Sequence, residues 1–114
     1  MKTYCNHRDE PYFTFLKNGQ KTIEGRAKNG KYEAIKVGDA ICVYDKDETD
    51  SILTRVERVT TYKSIKEMLK SEGIKKMLPD VDNIEQGFAI YRKFYSQEQE
   101  SKFGMVAIEV EVIG

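Results

Sequence analysis

Lys21, Glu24 and Arg26 fall within six residues of one another in the stretch from Leu16 to Arg26, Leu-Lys-Asn-Gly-Gln-Lys-Thr-Ile-Glu-Gly-Arg. An ammonium and a guanidinium can hold a phosphate or stabilise a developing negative charge. A carboxylate between them can take up a proton or accept from an exocyclic amino group. The spacing Lys-x-x-Glu-x-Arg is unspecific by itself, because exposed ion pairs are common and weak. A second group lies further on, where Tyr91, Arg92, Lys93 and Tyr95 offer cations for phosphate and rings for stacking on a base. These tyrosines have two readings, ligand platforms or core residues showing only their hydroxyls.

The elements around the first group give it its context. Tyr12, Phe13, Phe15 and Leu16 recur at the helical period, Pro11 suits the first helical position, Asp9 or Glu10 can cap it, and Asn18-Gly19 supplies a helix stop. Thr22 and Ile23 then begin a strand, whose alternation sets Thr22, Glu24 and Arg26 on one face against Lys21, Ile23 and Gly25 on the other. A turn near Gln20 would be needed to bring Lys21 round to Glu24.

The remaining pattern is one of short elements. Lys2–Asn6 reads as a first strand, and Lys28–Lys31 as a loop with an Asn-Gly turn. Ala40–Tyr44 is an apolar run expected to be a central strand covered on both faces, and the charged run Asp45–Asp50 reads as a hairpin tip. In the return strand, Ile52–Tyr62, Val56 and Val59 have opposite parity, which calls for a bulge, expected near Glu57-Arg58, or for a sheet covered on both sides. Ser64 caps a second helix with a capping box to Glu67, and Gly73 ends it. Ile74–Leu78 is a connecting turn, and residues 83–95 form a third helix with Ile84, Phe88, Tyr91 and Tyr95 on one face. Ser96–Lys102 reads as a polar loop, and Met105–Ile113 as a strand with one buried and one wet face. The order β-α-β-β-β-α-α-β describes one α+β domain over residues 1–114, with about five to six strands curling into a small barrel and two to three helices.

A helix opened by Pro11, closed by Gly19 and followed at once by Lys-Thr-Ile-Glu-Gly-Arg resembles the signature of the ASCH (activating signal cointegrator homology) family. Val37-Gly38-Asp39 leading into a strand and Gly104–Val110 resemble that family's later elements. The resemblance implies a PUA-like fold and most directly a module that binds RNA or a nucleotide. Some similar proteins hydrolyse acetylated cytidine nucleosides and others cleave RNA. In the amidohydrolases the pattern is Lys-Thr-Ile-Thr, with the Lys activating the second Thr. Lys21, Thr22 and Ile23 match it, but Glu24 stands at the nucleophile position, and a carboxylate cannot serve as a hydroxyl nucleophile.

Composition bounds these readings. The chain has 114 residues, 39% hydrophobic and 33% charged, which suits a single soluble domain with a heavily solvated exterior. No segment has the apolar length of a membrane span or the core of a signal peptide, so a cytoplasmic protein is expected. Cys5 and Cys42 are expected as small buried residues in a reducing compartment, and with His7, the sole histidine, they give no paired metal-ligand spacing; neither metal nor cofactor is expected. Net charge is zero, yet residues 1–36 carry 8 basic against 4 acidic side chains and residues 63–79 carry 5 against 2. Where those blocks meet, a modest basic patch would suit a short or single-stranded nucleic acid.

Three functions follow. The first is RNA or nucleotide binding in a cleft lined by Lys21, Glu24 and Arg26, with Tyr91, Arg92, Lys93 and Tyr95 as further ligand contacts. The second is a small hydrolase on the same cleft, an acetylated-cytidine amidohydrolase or a metal-independent ribonuclease, with Lys21 and Glu24 as its catalytic residues. The third is a peptide or protein interaction module. The sequence is silent on oligomeric state.

Overall fold

The computed structural model describes residues 1–114. Its strands are β1 (Thr3–His7), β2 (Ile23–Ala27), β3 (Ala40–Tyr44), β4 (Ser51–Tyr62) and β5 (Met105–Val112). Its helices are α1 (Tyr12–Lys17), α2 (Lys31–Ala34), α3 (Ile65–Glu72), α4 (Ile74–Met77), α5 (Ile84–Phe94) and α6 (Gln97–Phe103). The strands form one sheet in the order β1-β3-β4-β5-β2, parallel between β1 and β3 and antiparallel elsewhere. The architecture is the curled α+β half-barrel expected, with more helices than the two or three the sequence pattern marks out.

Its curl follows from local chemistry. Pairing of β4 with β5 shifts between Val56 and Arg58, a bulge that turns both Val56 and Val59 toward the same core. Each bulge bends and twists its strand, so the long β4 wraps the sheet until its two edge strands approach. Just beyond β1, Arg8 pairs with Glu24 of β2 across that seam.

Two apolar clusters lie on opposite sides of β5. Val106 and Ile108 pack with Phe13, Leu16, Ile41, Val43, Ile52 and Val56 inside the curl, under α1. Met105 and Ala107 pack with Ile23, Ile65, Met68, Leu69, Met77 and Tyr91 beneath α3, α4 and α5. β5 is therefore buried on both faces from Met105 to Ile108 and becomes wet only from Glu109 onward, which corrects the expectation of a single buried face. The reverse correction applies to β3: Ile41 and Val43 are buried, whereas Cys42 and Tyr44 on the other face are half-buried. Cys5 is exposed, so neither cysteine fills the core, and both are free thiols.

The polar segments hold more structure than their periodicity suggests. Ser96–Lys102 is not a loop: α6 starts there on a reciprocal capping box between Ser96 and Gln99. Ile74–Met77 closes into a single helical turn, and a further turn, α2, follows Gly30, whose φ of 59° is in the glycine-favouring region. No helix is long and apolar enough to cross a membrane.

Candidate functional site

A cleft of about 510 Å³ opens where the β1–β2 seam meets α1 and α5. Its construction begins at the end of α1. Gly19 takes a φ of 86°, Asn18 Oδ1 accepts from the Gln20 N–H at 3.0 Å, and the Lys21 N–H donates back to Phe15 O at 3.0 Å. This turn folds Lys21 inward before β2 begins, so the simple strand alternation does not apply to it. Its side chain is only 3% exposed, and its ammonium donates to Ile23 O at 2.8 Å and Met77 O at 2.6 Å. Lys21 Nζ also lies 3.9 Å from Glu24 Oε1.

Glu24, 12% exposed, is the focus of the charge arrangement. Arg8 pairs with its Oε2, and Arg26 Nε stands 3.7 Å from its Oε1. Burial pushes the Glu24 carboxyl upward while the charge of Lys21 opposes that shift. Burial likewise lowers the Lys21 ammonium, with the negative charges of Glu24 and Asp80 opposing. Both groups are held by partners that favour their ionised forms, two carbonyls for the ammonium and a guanidinium for the carboxylate. The floor thus sets three cations, Arg8, Lys21 and Arg26, around one carboxylate.

Arg26 differs from its neighbours. Its guanidinium lies over the Tyr32 ring at 5.0 Å, its side chain is 21% exposed, and its approach to Glu24 is longer than a hydrogen bond. Its donors remain available to a bound group.

From the other wall, α5 contributes Tyr91 and Lys93, and its C-cap Tyr95, to the lining. Tyr91 is 6% exposed and its ring packs in the core, so it cannot serve as a stacking platform. Its hydroxyl reaches the floor because residue 25 is glycine: a Cβ there would sit 2.7 Å from Tyr91 Oη and 2.8 Å from the methyls of Met68 and Met77. Burial and the charge of Glu24 push the Tyr91 hydroxyl well above its ordinary range, which keeps it a neutral donor. On the α1 side, burial and Asp80 raise the Tyr12 hydroxyl to about 12.

Six of the seven residues singled out in the sequence, Lys21, Glu24, Arg26, Tyr91, Lys93 and Tyr95, line this one cleft; Arg92 does not. Arg92 turns away to donate to Glu100 Oε1 at 2.6 Å and Tyr95 O at 3.3 Å, with its guanidinium 4.8 Å from the Phe88 ring. Arg8, Tyr12 and Phe94 line the cleft although their spacing does not mark them. Arg8 sits in what reads as a polar turn, and only the curl of the sheet brings it to Glu24. Phe94 falls outside the four-three-four stripe of α5. No three His, Cys, Asp or Glu side chains gather in an arrangement that could hold a metal ion. Chemically, the floor can pair with an anion through Arg26, donate through the Tyr91 hydroxyl, and accept through Glu24.

Comparison with known proteins places this geometry among relatives. The chain is 42% identical to hypothetical protein PH0355, whose crystal structure superposes with a TM-score of 0.87 over 99% of this chain and 100% of that one. It is 37% identical to protein PF0455 from Pyrococcus furiosus, with a TM-score of 0.80 over 97% of both chains. An ASCH protein from Zymomonas mobilis, in a mutant form, shares the fold at a TM-score of 0.67 with 12% identity, over 96% of this chain and 67% of that one. No curated protein matches the chain. The family model described as the ASCH domain matches residues 8–114, from the arginine at the seam to the last residue. This protein belongs to the ASCH domain family.

Proposed function

We propose that the cleft binds RNA or a nucleotide, with Arg26 and Lys93 reading phosphate and the Glu24 carboxylate and Tyr91 hydroxyl meeting the edge of a base. The observation that carries this is the floor, where three cations surround one carboxylate and the Arg26 guanidinium, stacked on Tyr32, makes no hydrogen bond to the protein. The lining also holds the Asp9 and Glu10 carboxylates, but a phosphate can pair with Arg26 and Lys93, pairings that a neutral ligand leaves unused. Membership of the ASCH family agrees with a nucleic-acid ligand. Cytoplasmic RNA or nucleotides would be the natural source.

The test is a titration of short single-stranded RNA and of nucleoside monophosphates at several salt concentrations. Affinity is expected to fall with salt, because each cation that meets a phosphate releases a counterion. Arg26→Ala and Lys93→Ala are each expected to reduce the log–log salt slope for RNA by about 1. No binding at low salt, or binding without a slope, overturns the phosphate-reading role.

A hydrolytic reading rests on Glu24 itself, a carboxylate pushed upward by burial beside a cation and a neutral hydroxyl, the set needed for proton transfer at a 2'-hydroxyl. It requires Glu24 to leave Arg8, since a paired carboxylate is a weak base. Product formation from RNA or acetylated cytidine, abolished by Glu24→Gln with binding retained, would favour it over simple binding.

A further inference from the structure

We propose that Phe94 is the stacking platform for an unpaired nucleobase at the mouth of the cleft, so that the ligand is single-stranded and is read as base plus phosphate. The inference rests on the nucleotide reading above and assigns the base a place.

Phe94 is 68% exposed, and among the large apolar side chains exposed on this protein it is the sole aromatic one. The others are Met1 at the terminus, Val37 in a turn, and Leu53, Val112 and Ile113 at the far end of the sheet. Phe94 alone lines the cleft. Its ring stands largely in water, and an occupant of the cleft that covers it recovers the burial the fold leaves unused.

The ring is carried by a rigid element. Phe94 is the last residue of α5, one turn beyond Ile90 and Tyr91, and that helix is closed by the Tyr95 N–H donating to Tyr91 O at 2.9 Å. Exposure among the α5 residues that line the cleft rises from the buried Tyr91 through the half-buried Ile90 to Phe94. An apolar wall thus rises from a polar floor, the division that a planar base on a charged sugar-phosphate requires. Lys93, exposed and adjacent on the same rim, supplies a charge for the phosphate that accompanies the base.

The size of the cleft decides between strands. At about 510 Å³ it falls in the range of small-molecule sites and admits a nucleotide, not a duplex. A base within a duplex has both faces stacked already and offers none to Phe94. A base in a single strand does.

The protein contains no tryptophan, which makes the test direct. Phe94→Trp places a lone indole at the proposed platform. The variant is titrated separately with each of the four ribonucleoside 5'-monophosphates and with ribose 5-phosphate, and binding to the parent and to Phe94→Ala is followed by calorimetry. We expect at least one nucleotide to quench the indole emission saturably while ribose 5-phosphate leaves it unchanged. We expect Phe94→Ala to bind that nucleotide about tenfold or more weaker, the usual loss for one base–aromatic stack, with ribose 5-phosphate affinity unaltered. A nucleotide that binds the parent and Phe94→Ala equally, or binds Phe94→Trp with unchanged emission, overturns the platform and leaves the binding function standing. Equal weakening for nucleotide and ribose 5-phosphate overturns it too, since Phe94 would then shape the phosphate site. Failure of the parent to bind any nucleotide overturns both proposals together.

Discussion

Charged residues in the cleft divide by what already occupies their hydrogen bonds. Lys21 donates to two main-chain carbonyls, one on β2 and one on the last residue of α4, so it joins the sheet to the helical layer. Lys21→Ala removes the partner of both carbonyls, and at about 1–3 kcal/mol for each buried group left unsatisfied it should lower unfolding free energy by roughly 2–4 kcal/mol. Arg26 has no such hydrogen bonds, only its stacking on Tyr32 and its approach to Glu24, so Arg26→Ala should lower stability by about 1 kcal/mol or less while weakening phosphate binding. Urea unfolding of the two variants checks the contrast; equal losses would show that Arg26 is structural. The Lys21–Glu24–Arg26 group was legible because residue types and spacing carry it. Arg8 was not, because nothing local distinguishes an arginine in a polar turn from one that closes a sheet. The double role of Lys21 was equally hidden, since its partners are carbonyls, which have no sequence signature.

At the level of elements, the position of α5 depends on a relay that begins with the arginine outside the cleft. Arg92 pairs with Glu100 on α6, and Glu100 Oε2 accepts the Ile65 N–H at 2.7 Å, so a side chain from α6 caps the first turn of α3. Three helices are tied together by one carboxylate that is 8% exposed. Arg92→Ala strands that carboxylate with a single neutral donor and should cost about 1–3 kcal/mol, with ligand affinity changed less than in Arg26→Ala. Thermal unfolding alongside RNA titration tests this, and a selective loss of binding at unchanged stability would return Arg92 to the ligand site. Periodicity placed α5 well, but it cannot tell which cation of Arg92-Lys93 faces the cleft, because adjacent helical positions diverge by about 100° and either direction is solvated. α6 lacks an apolar stripe, which is why it reads as a loop. Its Ser96-x-x-Gln99 capping signature was nevertheless present and outweighs the missing period.

Over the whole molecule, the curl of the sheet creates both the cleft and a set of buried or half-buried carboxylates whose ionisation the fold has adjusted. Backbone N–H groups of Lys2 and Lys36 hold Asp39 below its ordinary range, and the Arg58 guanidinium, with the Tyr62 hydroxyl, does the same for Glu72. A carboxylate depressed in the folded state contributes stability that is present above its unfolded pKa, near pH 4, and is lost as pH falls through the lower folded value. Glu24 is shifted the other way, so its contribution improves as pH falls toward the ordinary carboxylate range. The protein should therefore hold its stability down to about pH 4.5 and lose it steeply below. Glu72 offers the cleanest check, because its side chain is 4% exposed, takes two hydrogen bonds from Arg58 at 2.5 and 2.9 Å and one from Tyr62 at 2.6 Å. Glu72→Gln keeps the shape but removes the charge, so it should be less stable than the parent at pH 7 by about 1–3 kcal/mol. As pH falls through the depressed folded value the parent's Glu72 itself becomes neutral, and the gap between the two proteins should close. Urea midpoints of both proteins between pH 7 and pH 2.5 decide it: a gap that stays constant across this range would mean that Glu72 is held by packing, and that the Arg58–Glu72–Tyr62 cluster does not set the acid limit of the fold.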